Sequence, residues 1–452
     1  MKSVHVGSPD EHPFLTAPNK TLIQLAVPVL FALVAEPLTG LADTAFVARL
    51  PGSEPVAALG IGTVAFSSIF WAFSFLGIGT QTEVAQAVGR GAHGHAVKVV
   101  SLAALLAACI GCALMLLAYP ALDMISGVLG AQGNVGILAR EYMLYRLLGA
   151  PAVLVVVACF GAFRGVQDMR TPLYVAVGIN VLNVILDWLL IFGCGPFPAM
   201  GVGGAAIASS ISQWCGAIWA LFVVSRRLGL TVHVHGAGLA KLMKIGGDLF
   251  MRTGMVLLFL GLCTRYANQA GADEGAAYQA IRQFFIFSAL FLDAFAVTGQ
   301  SLVGYFLGAG AVPHARRVAA VVCGWSIGTG VCMCIAMLLG EQGVVWLLVP
   351  PTAHEVFGPA WLVVALTQPI GSLSFATDGI HWGTGDFRYL RNVMFIAVGI
   401  SFGLLVWMAK LEPGPMLVVI WCVTALWTFI RAGFGLARVW PGIGDAPLAL
   451  RT

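Results

Sequence analysis

Long apolar runs, parted only by short polar turns, leave this sequence almost no choice of architecture. A helix that crosses a bilayer needs about 20 apolar residues. Twelve runs meet that need, over 21–49, 57–86, 97–118, 135–162, 172–193, 202–225, 242–267, 276–307, 318–340, 356–382, 392–409 and 416–440. Lipid offers the backbone no hydrogen-bond partner, so such runs must be helical. Charge is too sparse for a water-facing surface: 10% of the 452 residues are charged and 59% are hydrophobic, where a soluble domain carries about 25% charged residues. The expected class is therefore an all-α polytopic membrane protein that works against the lipid bilayer. The opening residues "MKSVHVGSPDEHPFLTAPNK" lack a compact apolar core with a small-residue cleavage site, so no cleavable signal peptide is expected. Ten cysteines lie mostly in apolar runs without a His/Cys cluster at zinc spacing, and read as small apolar fillers.

Lysine and arginine set the expected orientation. With the N-terminus inside and spans alternating, Lys2, Lys20, Arg90, Lys98, Arg164, Arg170, Arg226, Arg227, Lys241, Lys244, Arg316, Arg317, Arg388, Arg391, Arg438 and Arg451 fall on the inner side. Only Arg49, Arg140 and Lys410 fall outside. Both termini are expected to be cytoplasmic. The net charge of +4 follows from this topology and gives no support to a nucleic-acid partner.

The chain also repeats itself. "VGRGAHGHAVKVV" matches "LGAGAVPHARRVA", with Gly89, Gly91 and His95 aligned to Gly308, Gly310 and His314, a displacement of 219 residues from 89 to 308. "RGVQDMR" matches "WGTGDFR", aligning Gly165, Asp168 and Arg170 with Gly383, Asp386 and Arg388, a displacement of 218 from 165 to 383. Two separate matches at nearly one displacement point to two six-helix halves. Six spans is an even number, so both halves insert in the same direction as parallel repeats, an arrangement typical of transporters. The expected divisions are a tail over 1–20, a first half over 21–228, a linker over 229–241, a second half over 242–440 and a tail over 441–452. Each inner turn carries Gly for a tight reversal and an Asp/Arg pair.

Buried charge points to function. An isolated Asp at mid-bilayer costs about 2.5–3.5 kcal/mol, so it should face a cavity or a partner. In "EPLTGLADTAF" Glu36 and Asp43 are seven residues apart, two helical turns, and should share a face. Pro37 frees a carbonyl in the same helix. In "NVLNVILD" the spacings put Asn180, Asn183 and Asp187 on one side of a helix. Asp43, Asp187 and Ser209 each lie six or seven residues from the outer end of their runs, at a common depth of roughly 10 Å. Oxygen ligands from three spans at one level suit a small hard cation or a shared proton. Interhelical hydrogen bonding is the competing reading for Asn180 and Asn183.

The acids are not duplicated. A shift of 218 takes Asp43 to Gly261 and Asp187 to Leu405. The second half instead offers Asp248, Arg252, Asp293, Gln300 and Asp378. Arg252 and Asp378 lie at similar depths from the inner surface, which makes an Arg–Asp pair the economical expectation. Such a cluster is either a static lock or part of a substrate chamber.

"LADTAFVARL", "FRGVQDMRTPLYVAVGINVLNVILDWLLIFG" and "GVGGAAIASSISQ" resemble the MATE (multidrug and toxic compound extrusion) transporters, and "GDLFMRT" with "DGIHWGTGDFRYLRN" resemble their DinF branch. The resemblance covers nearly the whole chain. It implies twelve helices in two parallel six-helix repeats around a V-shaped central cavity. It also implies export of a small organic, cationic or amphipathic compound against H⁺ or Na⁺ by alternating access across a cell inner (plasma) membrane, with no other cofactor; a monomer is expected. Asp43 matches the family's first-span acid, Asn183 and Asp187 its fifth-span pair, and Asp378 its tenth-span acid. Ser209 stands where the pattern usually has Thr. These four, Asp43, Asn183, Asp187 and Ser209, are the expected Na⁺ seat if Na⁺ is the coupling ion. Arg252 stands where other members carry an acid, so a Na⁺ site in the second half is not expected. The alternative is a lipid or lipid-linked oligosaccharide flippase of the same superfamily. An enzyme is not expected, because HExxH, GxSxG and P-loop signatures are missing from the sequence.

Overall fold

The computed structural model describes residues 9–193, 195–232, 236–411 and 414–449. Lys2, Arg451 and the stretch His233–His235 of the expected linker lie outside the described residues. Among the described residues the regular elements are helices. Among the described residues, eleven helices are long and apolar enough to cross a membrane: Pro18–Val47, Glu54–Gly89, His93–Val128, Arg170–Phe192, Gly201–Arg227, Gly238–Ala270, Ala272–Gly308, Val312–Leu348, Pro351–Thr384, Phe387–Leu411 and Met416–Val439. A bent pair, Gly133–Leu147 with Ala150–Gly165, turns through 50° and supplies one further crossing. Placed fourth in chain order, it brings the spans to twelve. The run expected at 135–162 is thus one crossing broken near Leu148.

The chain divides into two compact units. One is Val27–Gly246; the other runs from Gly247 onward and takes in the segment ahead of Val27. Each unit repeats the same close helix approaches. Gly161 of the fourth span lies where a Cβ would meet Gly77 O of the second at 2.3 Å, and Gly379 of the tenth lies where a Cβ would meet Ala296 O of the eighth at 2.2 Å. One turn on, Gly165 sits against Val84 and Gln81 O, and Gly383 against Val303 and Gln300 O. Each partner in the second unit is the residue 219 positions after its counterpart in the first. The duplication read from loop motifs therefore extends to backbone-to-backbone packing. It also corrects the reading of Gly165 and Gly383 as turn residues: they are packing residues. The left-handed turn positions are Gln167 (φ 63°) and Gly385 (φ 80°). Gly161→Ala and Gly379→Ala are each expected to cost about 1–3 kcal/mol through overpacking. Gly399→Ala, with nothing within 4 Å of its added Cβ, is the neutral control, read by thermal unfolding of the purified protein.

The loop acids do not pair inside their own turns. Asp168 bonds Arg227 Nη1 at 2.7 Å, and Asp386 bonds Arg438 Nε at 2.8 Å. Each pair ties the turn after the fourth or tenth span to the end of the sixth or twelfth. Asp168 also accepts from Thr171 N (3.0 Å) and Thr171 Oγ1 (2.6 Å) at the start of the fifth span, which satisfies an orphan helix donor. The chain carries one C-x-x-C spacing, Cys109 and Cys112, both exposed and unbridged on the third span.

The segment ahead of the first span is packed. Phe14 is fully buried against Phe306. The His12 ring stands 5.0 Å from the rings of Tyr305 and Phe306. Trp325 Nε1 donates to Asn19 Oδ1 at 3.0 Å. All of these residues belong to the second unit.

Candidate functional site

In the first unit the first, fifth and sixth spans bring together Asp43, Asn183, Asp187 and Ser209, all buried. With its amide seated to satisfy both neighbours, Asn183 Nδ2 donates to Asp43 Oδ1 at 3.1 Å. Its Oδ1 then accepts from Ser209 Oγ at 3.3 Å and Ser209 N at 3.2 Å. The carboxyls of Asp43 and Asp187 are close enough to act on one another electrostatically. Two buried carboxylates side by side repel, so a shared proton or a bound cation is favoured between them. Asp187 Oδ1, wholly buried, has no partner among the described residues, a costly state that a bound cation or proton relieves.

Asn180 and Glu36 stand apart from this cluster. Asn180 Nδ2 donates to Ala35 O at 2.7 Å, so it fastens the fifth span to the first beside Pro37. Ala35 is the residue that faces the fifth span, and Glu36 follows about 100° further round the helix. Glu36 is accordingly exposed, whereas Asp43 is 8% exposed. The shared face expected for the two acids does not give them a shared environment.

Two residues that the sequence did not single out complete the first-unit site. Arg146, on the fourth span, acts electrostatically on Asp43. Tyr142, one turn earlier, is buried beside Arg146. Arg146 also lies 5.9 Å from the rings of Phe66 and Phe70, a cation–π setting for a partly buried guanidinium. The available signal was "REYMLYRLLGAP", where a second Arg follows Arg140 and Glu141 into an apolar run.

The second unit holds the opposite charge. Asp378 Oδ2 accepts from Arg252 Nη2, as the sequence led us to expect, and from Arg431 Nη2 of the twelfth span at 2.5 Å. Each of the three is under 10% exposed. Arg252 lies over Trp382 at 5.4 Å and Arg431 over Trp427 at 4.4 Å. Asp293 is half-buried and acts on Arg252 electrostatically. Asp248 is not part of the cluster: one turn before Arg252, it is engaged by Arg391 Nη1 at 2.5 Å. Gln300 is also removed from it, since it packs with no exposure against Gly383 of the tenth span.

The MatE family model matches residues 28–189 and again 249–407. The chain belongs to the MatE family. The two matched stretches are one copy in each half, in agreement with the displacement read from the motifs. Protein DETOXIFICATION 44, chloroplastic, of Arabidopsis thaliana is 29% identical over 459 residues, covering 98% of this chain and 82% of that protein. DNA damage-inducible protein F of Escherichia coli K12 (DinF) is 27% identical over 439 residues, covering 94% and 93%. A multidrug resistance MATE family transporter solved in an outward-facing conformation superposes with a TM-score of 0.85 at 21% identity, covering 95% of this chain and 97% of that one; the likeness is one of fold. As a MatE protein the chain is a polytopic membrane transporter of the multidrug and toxic compound class, similar to DinF, and not an enzyme. Asp43, Asn183, Asp187, Arg252, Asp293 and Asp378 lie within the matched stretches, while Ser209 and Arg431 lie beyond them.

Proposed function

We propose that this MatE protein exports amphipathic organic compounds from the cytoplasm across a bacterial-type inner membrane, in exchange for H⁺, by alternating access. Its proton is carried by the Asp43–Asp187 pair. The observation that carries this reading is the burial of two acids, Asp43 and Asp187, in one cluster, with Asp187 Oδ1 meeting no partner among the described residues. A nearby cation, Arg146, offsets the remaining negative charge and makes a second cation such as Na⁺ less welcome than a proton. Asn183 and Ser209 orient Asp43 through the amide chain. The flippase alternative calls for several free cations to hold a pyrophosphate, and Arg252 and Arg431 are both spent on one carboxylate.

The test is export in proteoliposomes of the purified protein, followed with ethidium and with 8-anilino-1-naphthalenesulfonate, under an imposed pH gradient or an imposed Na⁺ gradient. Export of either probe under the pH gradient alone is expected. Export driven only by Na⁺ would overturn the proton assignment and make the four oxygen-bearing residues a Na⁺ seat. Movement of neither probe under either gradient would overturn the antiport reading.

A further inference from the structure

The break in the fourth span is held by the sixth. After Leu147 the chain turns through 50° into the helix Ala150–Gly165. Gly149 N bonds Arg146 O at 3.1 Å instead of reaching back to Tyr145 O, and Pro151 has no N–H to offer Leu147 O. The freed carbonyl of Tyr145 accepts from Ser210 Oγ at 2.8 Å, and that of Leu148 from Trp214 Nε1 at 2.9 Å. Ser210 and Trp214 stand about one turn apart on the sixth span. A Cβ on Gly149 would meet Ser210 Oγ at 2.9 Å and Ser210 Cα at 3.1 Å, so glycine is what lets the two spans come this close.

Proline alone does not make the break. A displacement of 218 carries Pro151 to Pro369 and Gly149 to Thr367. Yet the tenth span runs through Pro369 as one helix, His354–Thr384. The break goes instead with Gly149 and its two sixth-span donors, in the unit that holds the buried acid pair.

Ser210 follows Ser209, the residue that closes the acid cluster. Asn183 Oδ1 accepts from Ser209 Oγ at 3.3 Å and from Ser209 N at 3.2 Å, while Asn183 Nδ2 donates to Asp43 Oδ1 at 3.1 Å. Ser210, about 100° further round the helix, turns to the fourth span. This seating of the amide suits an ionised Asp43, which can only accept. A proton on Asp43 Oδ1 turns that oxygen into a donor. Asn183 must then present its oxygen to Asp43 and its NH₂ to Ser209, where the short contact with Ser209 N sets donor against donor. Ser209 is pushed from the fifth span, and Ser210 moves with it on the same rigid helix. The other titratable groups acting on this site are Asp187 of the fifth span and Tyr142 and Arg146 of the fourth.

We propose that the break in the fourth span is a joint whose bend follows the proton on Asp43, and that Ser210 is the positioning residue that links the two. This deepens the proton-coupling reading and rests on it for the choice of acid.

The bend is measured without transport, on the purified full-length protein in nanodiscs, as the distance between spin labels attached through p-acetylphenylalanine at Ile137 and Tyr174, both exposed. Ile137 stands eleven residues ahead of Leu148, about 16 Å along its helix, so a change of about 10° in the bend displaces that label by about 3 Å. Wild type is expected to shift by at least that much between about pH 9 and about pH 5, the range in which buried carboxyls titrate. Asp43→Asn and Ser210→Ala are expected to lose the shift, and Ser210→Thr, which keeps the hydroxyl, to retain it. A wild-type distance that is the same at both pH values overturns the joint. A full shift in Ser210→Ala overturns the link, since a merely structural Ser210 would offset the distance equally at both pH values. A full shift in Asp43→Asn overturns the choice of acid. Export without a shift defeats the joint alone, and a shift without export defeats the antiport reading alone.

Discussion

Asp43→Asn is expected to collapse the concentration ratio that the transporter sustains from a few hundredfold to about one. One charge moving through about 150 mV releases roughly 3.5 kcal/mol, and about 1.4 kcal/mol corresponds to a factor of ten in concentration. A single titrating acid is thus sufficient for a gradient of that size, and its removal is sufficient to abolish it. Asparagine keeps the volume of aspartate and can still face the Asn183 amide, which now donates to Asp43 Oδ1 at 3.1 Å. The fold is therefore expected to persist, and what disappears is the group that takes up and releases a proton. The protein would then equilibrate substrate without concentrating it. Counterflow in proteoliposomes at zero gradient should survive, while accumulation under a pH gradient should not. An inserted Asp43→Asn protein that still concentrates ethidium or the naphthalenesulfonate would remove Asp43 from the coupling step.

The second large effect is on stability. Asp378→Asn leaves Arg252 and Arg431 buried at 8% exposure each with no carboxylate between them. Removing one partner of a buried charged set costs about 3–5 kcal/mol, because the remaining charges are left uncompensated. Here two like charges remain, so the upper part of that range is expected. Arg252→Gln should cost much less, since Asp378 keeps Arg431 at 2.5 Å. The double variant Asp378→Asn/Arg252→Gln should recover part of the loss. Unfolding temperatures and membrane yields of the three proteins measure the ordering. If Asp378→Asn is no worse than Arg252→Gln, the triad is not what holds these helix ends together.

The spans and the duplication were legible because each rests on a one-dimensional signal: run length against bilayer thickness, and recurrence at a fixed displacement. The first-unit cluster was legible for a similar reason. Asn183 and Asp187 share a helix side by spacing, and a common depth then brings Asp43 and Ser209 level with them. Spacing says which residues share a side of one helix, but not which neighbour covers that side. Glu36 was misjudged on that account, since the fifth span covers Ala35 and leaves the next residue open. Arg146 and Arg431 were missed because an arginine inside an apolar run says nothing by itself about its partner; their role depends on Asp43 and Asp378 in other spans. The same limit applies to Gly165 and Gly383, whose place beside a turn concealed their contact with a neighbouring helix, and to Asp168 and Asp386, whose partners lie 59 and 52 residues further along the chain.

The burial of Phe14 and His12 against Tyr305 and Phe306 has a consequence for how the protein is made. This segment, made ahead of the first span, finds its resting place on residues synthesised some 290 positions later (14 to 305). At about 5–20 residues per second that is a wait of roughly fifteen seconds to a minute. During it an apolar phenylalanine stays uncovered while the whole first half is inserted. Docking of this segment can therefore occur only once the eighth span is in place, so it reports that the second half has begun to assemble.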